Sequence, residues 1–303
     1  MRVIIAGLPY FAKILQSDLA GFDPKNKYVF CDTYYSLFDK IRFSMLLPFT
    51  DLVISLNGVS DKSGSLELAV KSGKKIFMLW QGTDVLLAKE RFNNNTIYSK
   101  YINYAIHFSD SLILIDELKE IGIKADLLNF KHIEINQSTI KDYKDISVYT
   151  YVPEGKEVFY GLDFMIPLFE MFPEIEFKII GTHGKSYPKY PNVKFYGWID
   201  KKSYQDISSK TPIFIRLTEH DGYSRSVLEA LSAGNEVIWN MKHELCHYVK
   251  RDSILVSEKL REVIQLIENR GLTKNINNIQ WADENLNIQN IIGKFKEKIE
   301  EYI

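Results

Sequence analysis

Short apolar runs rich in β-branched and aromatic residues recur along this chain, separated by longer stretches in which apolar residues return every three or four positions. In the first half the runs are RVIIAG, KYVFCD, DLVISLNG, KKIFMLWQG, SLILID and ADLLNF. Uninterrupted apolar strands alternating with helix-length amphipathic segments predict a parallel sheet covered by helices on both faces. A polar, weakly periodic stretch, KHIEINQSTIKDYKD, interrupts the alternation around residues 131–145 and reads as a linker. The alternation then restarts with ISVYTYV, EFKIIG, NVKFYG, IFIRL, EVIWN and SILVS. The expectation is an α/β protein of two Rossmann-like, doubly wound domains, 1–138 and 139–280, followed by a helical segment, 281–303.

Length agrees: 303 residues suit two domains of roughly 150 each. Apolar residues make up 46% and charged residues 25%, ordinary for a soluble globular chain, and a net charge of -1 supplies no basic field for nucleic acid. Divided near residue 138, the first part holds 16 Lys and Arg against 15 Asp and Glu, the second 22 against 24, so neither is a charge-driven binder. Cys31 and Cys246 are too few and too distant for a disulfide framework or a CxxC metal site, and core filling in a reducing compartment is expected. The opening MRVIIAGLPYFAK breaks at Gly7 and Pro9, too early for a signal peptide, and reads as a buried first strand. No run approaches the ~18 apolar residues of a bilayer span. A cytoplasmic protein, at most peripheral on the membrane, is expected.

Two such sheets predict a cleft faced by the carboxyl ends of their strands, where ligands of parallel sheets bind. The loops that matter are then AGLPYF, QGTD, GTHG and LTEHDGYS. The last opens EHDGYSRSVLEALSAG, Glu219 to Gly234, which supports two readings. A helix near Arg225–Ala233 stopped by Gly234 needs no ligand, since Glu229 stands three residues after Ser226, the spacing of a capping box. The same helix opens at a strand's carboxyl end, where its free N–H groups and positive dipole end suit a phosphate, and Gly222 lets backbone come close.

DGYSRSVLEALSAG resembles the donor-site motif of retaining nucleotide-sugar glycosyltransferases of the GT-B fold, the large family 4-like group (glycosyl transferases group 1). In that family two Glu residues are separated by seven residues and followed by EAxxxG; here Asp221 takes the first place and Glu229 the second. The resemblance implies that Asp221 contacts donor-sugar hydroxyls, that Glu229 contacts the ribose, and that the backbone of Gly222, Tyr223 and Ser224 approaches sugar and diphosphate. Asp for Glu is a departure that shortens the reach by one methylene. YVPEGKEVFYGLDFMIPLFEMFPEIEFKIIG is similar to the family's strand, basic loop, helix and strand ending in glycine, here Gly181. That loop usually carries an Arg and a Lys on the diphosphate. Lys156 matches the Lys, against the alternative of a solvated loop lysine; the Arg is missing, and Arg216 is the substitute implied.

In the first half, GVSDKSGSLELAVKSGKKIFMLWQGTDVLL is similar to the family's first domain, which would put Gly82, Thr83 and Asp84 on the acceptor side, with His107 as an orienting residue. Thr83 or Asp84 as a plain N-cap is compatible with that. IQWADENLNIQNIIGKFKEKIEEYI resembles the family's terminal helix, which packs back on the first domain. The resemblance implies transfer of a hexosyl group from a UDP- or GDP-sugar to a glycan, lipid-linked or protein acceptor, retention of configuration, no resident cofactor and no metal. Two rivals stand beside it: a catalytically idle protein of the same fold that binds nucleotide or glycan, and a sugar-nucleotide epimerase.

Other features are weaker. AGLPYF has one glycine of a dinucleotide fingerprint, although Gly7 would let the first helix approach a diphosphate, and no P-loop is present. HELCH places His243 and His247 at i, i+4, which reads as a surface helix before a zinc site. His220 adjoins Asp221, where capping a turn is the commoner role. YYSLFDKIRFSMLLPF, Tyr34 to Phe49, predicts a helix packed on its sheet, with contact to a membrane or lipid-linked acceptor as the second reading.

Overall fold

The computed structural model describes residues 1–134 and 142–303. The expected boundary at 138 and the middle of the expected linker lie outside the described residues. The chain divides into two compact units, 1–132 with 288–303, and 133–287.

Unit 1 winds through β1 (Arg2–Gly7), α1 (Pro9–Phe22), β2 (Lys27–Phe30), α2 (Leu37–Leu46), β3 (Leu52–Leu56), α3 (Gly64–Lys71), β4 (Lys75–Trp80), α4 (Thr83–Asn93), α5 (Ser99–Tyr104), β5 (Ile106–Ser109), α6 (Leu112–Glu120) and β6 (Ala125–Leu127). Its six strands are parallel in the order β2-β1-β3-β4-β5-β6. Alternation along each strand divides the side chains between two cores. Ile4, Val53, Met78 and Trp80 pack beneath α3, α4 and α6, while Val3, Ile5, Ile54, Phe77 and Phe108 pack against α1 and the chain's last helix.

Unit 2 repeats the plan with β7 (Ser147–Tyr151), α7 (Leu162–Met171), β8 (Glu176–Ile180), β9 (Val193–Gly197), α8 (Lys201–Lys210), β10 (Ile213–Arg216), α9 (Arg225–Ser232), β11 (Glu236–Trp239), β12 (His247–Tyr248), α10 (Ser253–Asn269) and α11 (Ile276–Asn285). These strands are also parallel, ordered β12-β11-β10-β7-β8-β9. The α/β class and paired doubly wound sheets agree with the sequence reading. The final helix, α12 (Lys294–Tyr302), belongs to unit 1: Phe295 and Ile299 are buried there, and the Tyr302 ring meets Phe77 edge-on at 5.5 Å.

Three segments, two of them apolar runs, differ from expectation. SLILID is not a strand but the start of α6, burying Leu114 and Leu118 one turn apart, and the strand is the preceding Ile106–Ser109. SILVS opens α10, whose buried Val256, Leu260, Val263 and Ile267 follow a helical period; Asp252 caps it by accepting from the Ile254 and Leu255 N–H groups. A short apolar run carries no period of its own, so the longer window decides. HELCH is not helical; it turns into β12, sending His243 and His247 to different neighbours.

Candidate functional site

In unit 2 the winding reverses between β7 and β10: β8 and β9 extend the sheet one way, β11 and β12 the other. Neighbouring strands whose connections diverge leave a crevice at their carboxyl ends. Two loops leave the sheet there, one from β7 into α7 and one from β10 into α9, and they are tied together. Glu219 N–H donates to the Phe159 carbonyl at 2.8 Å. The Arg216 guanidinium lies 5.1 Å from the centre of the Tyr160 ring. Arg251 braces both loops, donating from Nη2 to the Val158 carbonyl at 3.0 Å and standing 3.6 Å from the Glu219 carboxylate.

Within this frame Asp221 turns back on its own strand. Its Oδ2 is 2.5 Å from Arg216 Nε and accepts from Thr218 Oγ1 at 3.4 Å. Among the described residues, none bonds Oδ1. Burial alone would lower the pKa of Arg216, but the Asp221 carboxylate outweighs it and holds the guanidinium above its ordinary value. Asn240, at the end of β11, secures the turn by donating from Nδ2 to the Thr218 carbonyl at 2.8 Å.

The following helix does not form the expected capping box. Its N-cap is Ser224, whose side chain bonds no first-turn N–H; Ser224 Oγ instead meets Ser226 Oγ at 3.2 Å. Glu229 stands one turn inside the helix and accepts from Arg225 Nε at 3.0 Å, the i, i+4 neighbour. Burial pushes its carboxyl above the usual range, with Arg225 pulling the other way. Gly234 ends the segment as expected, at φ 75°. Tyr223 begins an aromatic wall: its ring lies 6.2 Å from His243, which meets Trp281 edge-on at 5.2 Å. Gly222 and Ser224 are buried, and His220 occupies the turn before Asp221.

On the β7 side Lys156 sits exposed in a turn closed by its N–H on the Pro153 carbonyl at 3.0 Å. Gly181, directly after β8, has φ 104°, and a Cβ there would fall 2.5 Å from the Val152 carbonyl oxygen, so only glycine lets the two strand ends lie this close. The loop's acids are engaged locally. Glu154 accepts from the His183 N–H at 2.7 Å, and Glu157 from Thr182 Oγ1 at 2.8 Å. The structure therefore groups Arg216, His220, Asp221, Gly222, Tyr223, Ser224 and Glu229 on one loop and helix start, beside the loop of Lys156 and the strand end of Gly181. Sequence reading missed Tyr160, Thr218, Asn240 and Arg251. Asn240 follows a strand directly and was reachable by the strand-end rule; Tyr160 carries no local signal.

Gly7, Gly82, Thr83, Asp84 and His107 belong to unit 1. Gly7 lines a cavity of about 680 Å³ together with Tyr34, Lys40 and Ser55, at the β1/β3 reversal. Asp84 is not a simple N-cap: Gly82 holds that position, and the buried Asp84 carboxylate accepts from the N–H groups of Gly58, Gln81, Gly82 and Val85. Burial raises its pKa against those four donors. His107 has both ring nitrogens engaged, by Trp80 Nε1 at 3.1 Å and the Ile102 carbonyl at 2.8 Å, and burial lowers its pKa. A second cavity, about 520 Å³, is lined by Glu236, His247, Arg270 and Lys274; Glu236 begins β11, so it lies at the strand end opposite Asp221. Among the described residues no three His, Cys, Asp or Glu converge as a metal site, and no helix is long and apolar enough to cross a membrane.

No protein-family model matches the sequence, and no curated protein matches it. Solved structures do. A sucrose-phosphate synthase from Thermosynechococcus elongatus is similar over 100% of both chains, with TM-score 0.68 and 10% identity. The pneumococcal O-GlcNAc transferase GtfA, solved with UDP and GlcNAc, is similar over 87% of this chain with TM-score 0.59 and 14% identity, and this chain spans 59% of GtfA's length. A UDP-N-acetylglucosamine 2-epimerase, putative in its description, from Listeria monocytogenes is similar over 99% of this chain and 97% of its own, with TM-score 0.55 and 12% identity. At such identities the likeness establishes the fold, that of GT-B glycosyltransferases.

Proposed function

We propose that this chain is a glycosyltransferase that takes a hexosyl group from a UDP- or GDP-sugar and passes it to a glycan, lipid-linked or protein acceptor with retention of anomeric configuration. One observation carries the reading: the Lys156 loop and the Asp221 loop leave the two strands that flank the sheet's reversal, where a parallel sheet receives its ligand.

Breaking a sugar–phosphate bond builds positive charge at the anomeric carbon and extra negative charge on the leaving diphosphate, so catalysis is stabilisation of both. The first turn of α9, uncapped by the Ser224 side chain, offers N–H groups and a positive dipole end to the diphosphate. Lys156, exposed and on a short turn, supplies the mobile cation. Arg216 contributes less directly than the missing loop arginine would, since its Nε is committed to Asp221. That pairing holds Asp221 rigid with Oδ1 left for a sugar hydroxyl. Glu229, one turn into α9, receives the ribose. The departing phosphate takes the acceptor's proton, so no protein base is needed and none is assigned.

The test is incubation with UDP- and GDP-sugars followed by mass spectrometry of products, with and without acceptor glycans. Release of nucleoside diphosphate with glycosylated acceptor supports transfer. The Listeria neighbour favours one other reading, epimerisation, and its mark is an isomerised sugar nucleotide formed with no acceptor present. Absence of any reaction with all donors contradicts both.

A further inference from the structure

Helix α2 and the turn after it carry an apolar face that no part of the described chain covers. Leu37, Ile41 and Met45 fall on one stripe of a 3.6-residue helix with Phe38 beside them, and Phe49 extends the stripe past the helix end. Their exposures are 74%, 55%, 70%, 75% and 70%, whereas the opposite side anchors the helix through Phe43 and Leu47, exposed by 1% and 3%. Single exposed apolar residues are unremarkable, but five contiguous ones mark a contact surface.

The surrounding charges indicate what the surface meets. Lys40 flanks the stripe on one side and Arg42 on the other. At the far end the Arg2 guanidinium lies 5.8 Å from the centre of the Phe49 ring, and Lys74 donates to the Pro48 carbonyl at 3.2 Å. Among the acidic groups nearby, Asp32 takes the Tyr34 and Tyr35 N–H groups and Asp51 the Arg2 N–H, while Asp39 takes the Asp32 N–H with one oxygen and pairs with Arg42 at 3.5 Å with the other. Lys40 forms no ion pair with any described residue. Tyr35, 81% exposed, stands at the helix start. Protein partners bury surfaces depleted of lysine, while a convex helix with an apolar stripe, cationic margins and aromatic ends matches the water–lipid interface of an anionic bilayer.

We propose that unit 1 docks on anionic membranes through Leu37, Phe38, Ile41, Met45 and Phe49, with Lys40 and Arg42 at the headgroups. The surface stands independently of the transferase reading. It has one consequence for the cavity of unit 1, which Lys40 and Ser44 line from the same helix: its wall would lie at the headgroup level.

The experiment is co-sedimentation of the full chain with vesicles of phosphatidylcholine alone and of phosphatidylcholine mixed with phosphatidylglycerol, at low and high salt. The wild type is expected to pellet with the mixed vesicles and to be released by salt. Phe38→Ser/Met45→Ser, at exposed positions, should keep its circular dichroism and melting temperature and lose about tenfold in vesicle affinity. Lys40→Gln should weaken binding to the mixed vesicles only. No pelleting of the wild type with mixed vesicles, or equal pelleting of wild type and double variant, overturns the proposal. So does sedimentation velocity showing a wild-type dimer that the double variant dissolves, which would assign the face to a second copy.

Discussion

Arg216 Nε stands 2.5 Å from Asp221 Oδ2, closing the carboxyl end of β10 on itself. Both side chains are largely withdrawn from water, so the pair is a structural unit as well as a candidate binding group. Asp221→Ala should lower turnover at least tenfold, about 1.4 kcal/mol in barrier, and it should also destabilise the fold. A buried guanidinium left without its partner costs about 3–5 kcal/mol. Asp221→Asn separates the effects: its melting temperature should fall less than that of the Ala variant, with turnover still reduced. Full turnover in the Asn variant removes Asp221 from the site.

Glu229 tests function against stability. Its carboxyl is raised in the folded state by burial, against Arg225, so its protonated form is the one that folding favours. That contribution is present below the ordinary carboxylate pKa and is lost as pH rises through the raised value. At pH 7 Glu229→Gln should therefore match or exceed the wild type in melting temperature, while nucleotide affinity falls about tenfold, the loss expected for a charge-assisted hydrogen bond. A variant that melts lower and binds normally would make Glu229 a partner of Arg225 and nothing more.

Gly161 joins the two loops. It has φ 74°, and a Cβ there would come within 2.3 Å of the Leu217 carbonyl oxygen, whereas Gly155 has the same φ of 74° and open space around it. Both Ala variants pay the left-handed backbone penalty of about 1–2 kcal/mol, but Gly161→Ala adds a clash of about 1–3 kcal/mol. Chemical denaturation should show Gly161→Ala as the less stable of the two. Equal stabilities would mean that the β7 and β10 loops are not held together as described.

His107 gives a pH signature in unit 1. Burial holds its pKa below the ordinary value, so the folded state keeps it neutral while the unfolded chain takes a proton near pH 6.5. Its contribution is present above that pH and is lost as pH falls below it. The stability advantage of the wild type over His107→Gln should shrink between pH 7.5 and pH 5, measured by urea unfolding. A gap that does not change would place His107 in contact with solvent.

The strand pattern made most of the architecture legible, because parallel strands buried on both faces must read as unbroken apolar runs. The same property misplaced SLILID and SILVS, whose runs continue into helices with periodic burial. The loops that leave β7 and β10 were legible as strand-end loops. Their internal bonding was not, because the sequence does not say that Asp221 folds back on Arg216 or that Glu229 meets Arg225 instead of the helix start. Asp84 and His107 show the converse. Both stand close to strand ends, and both are consumed by backbone and indole partners inside unit 1. The exposed face of α2 was open in the sequence as the second reading of Tyr34–Phe49, but which side chains face outward was not, since apolar residues on a helix are read as facing inward until a neighbour is found missing.

The central claim, that a nucleotide diphosphate is held where β7 and β10 part, is tested most directly by titrating the protein with UDP and GDP while following backbone amide resonances. Saturable shifts greatest at Gly222, Tyr223, Ser224 and Arg225, with smaller ones at Gly155 and Lys156, are the predicted result. No saturable shift with either nucleotide, or shifts centred on Glu236 and Lys274 at the other end of the sheet, would contradict it.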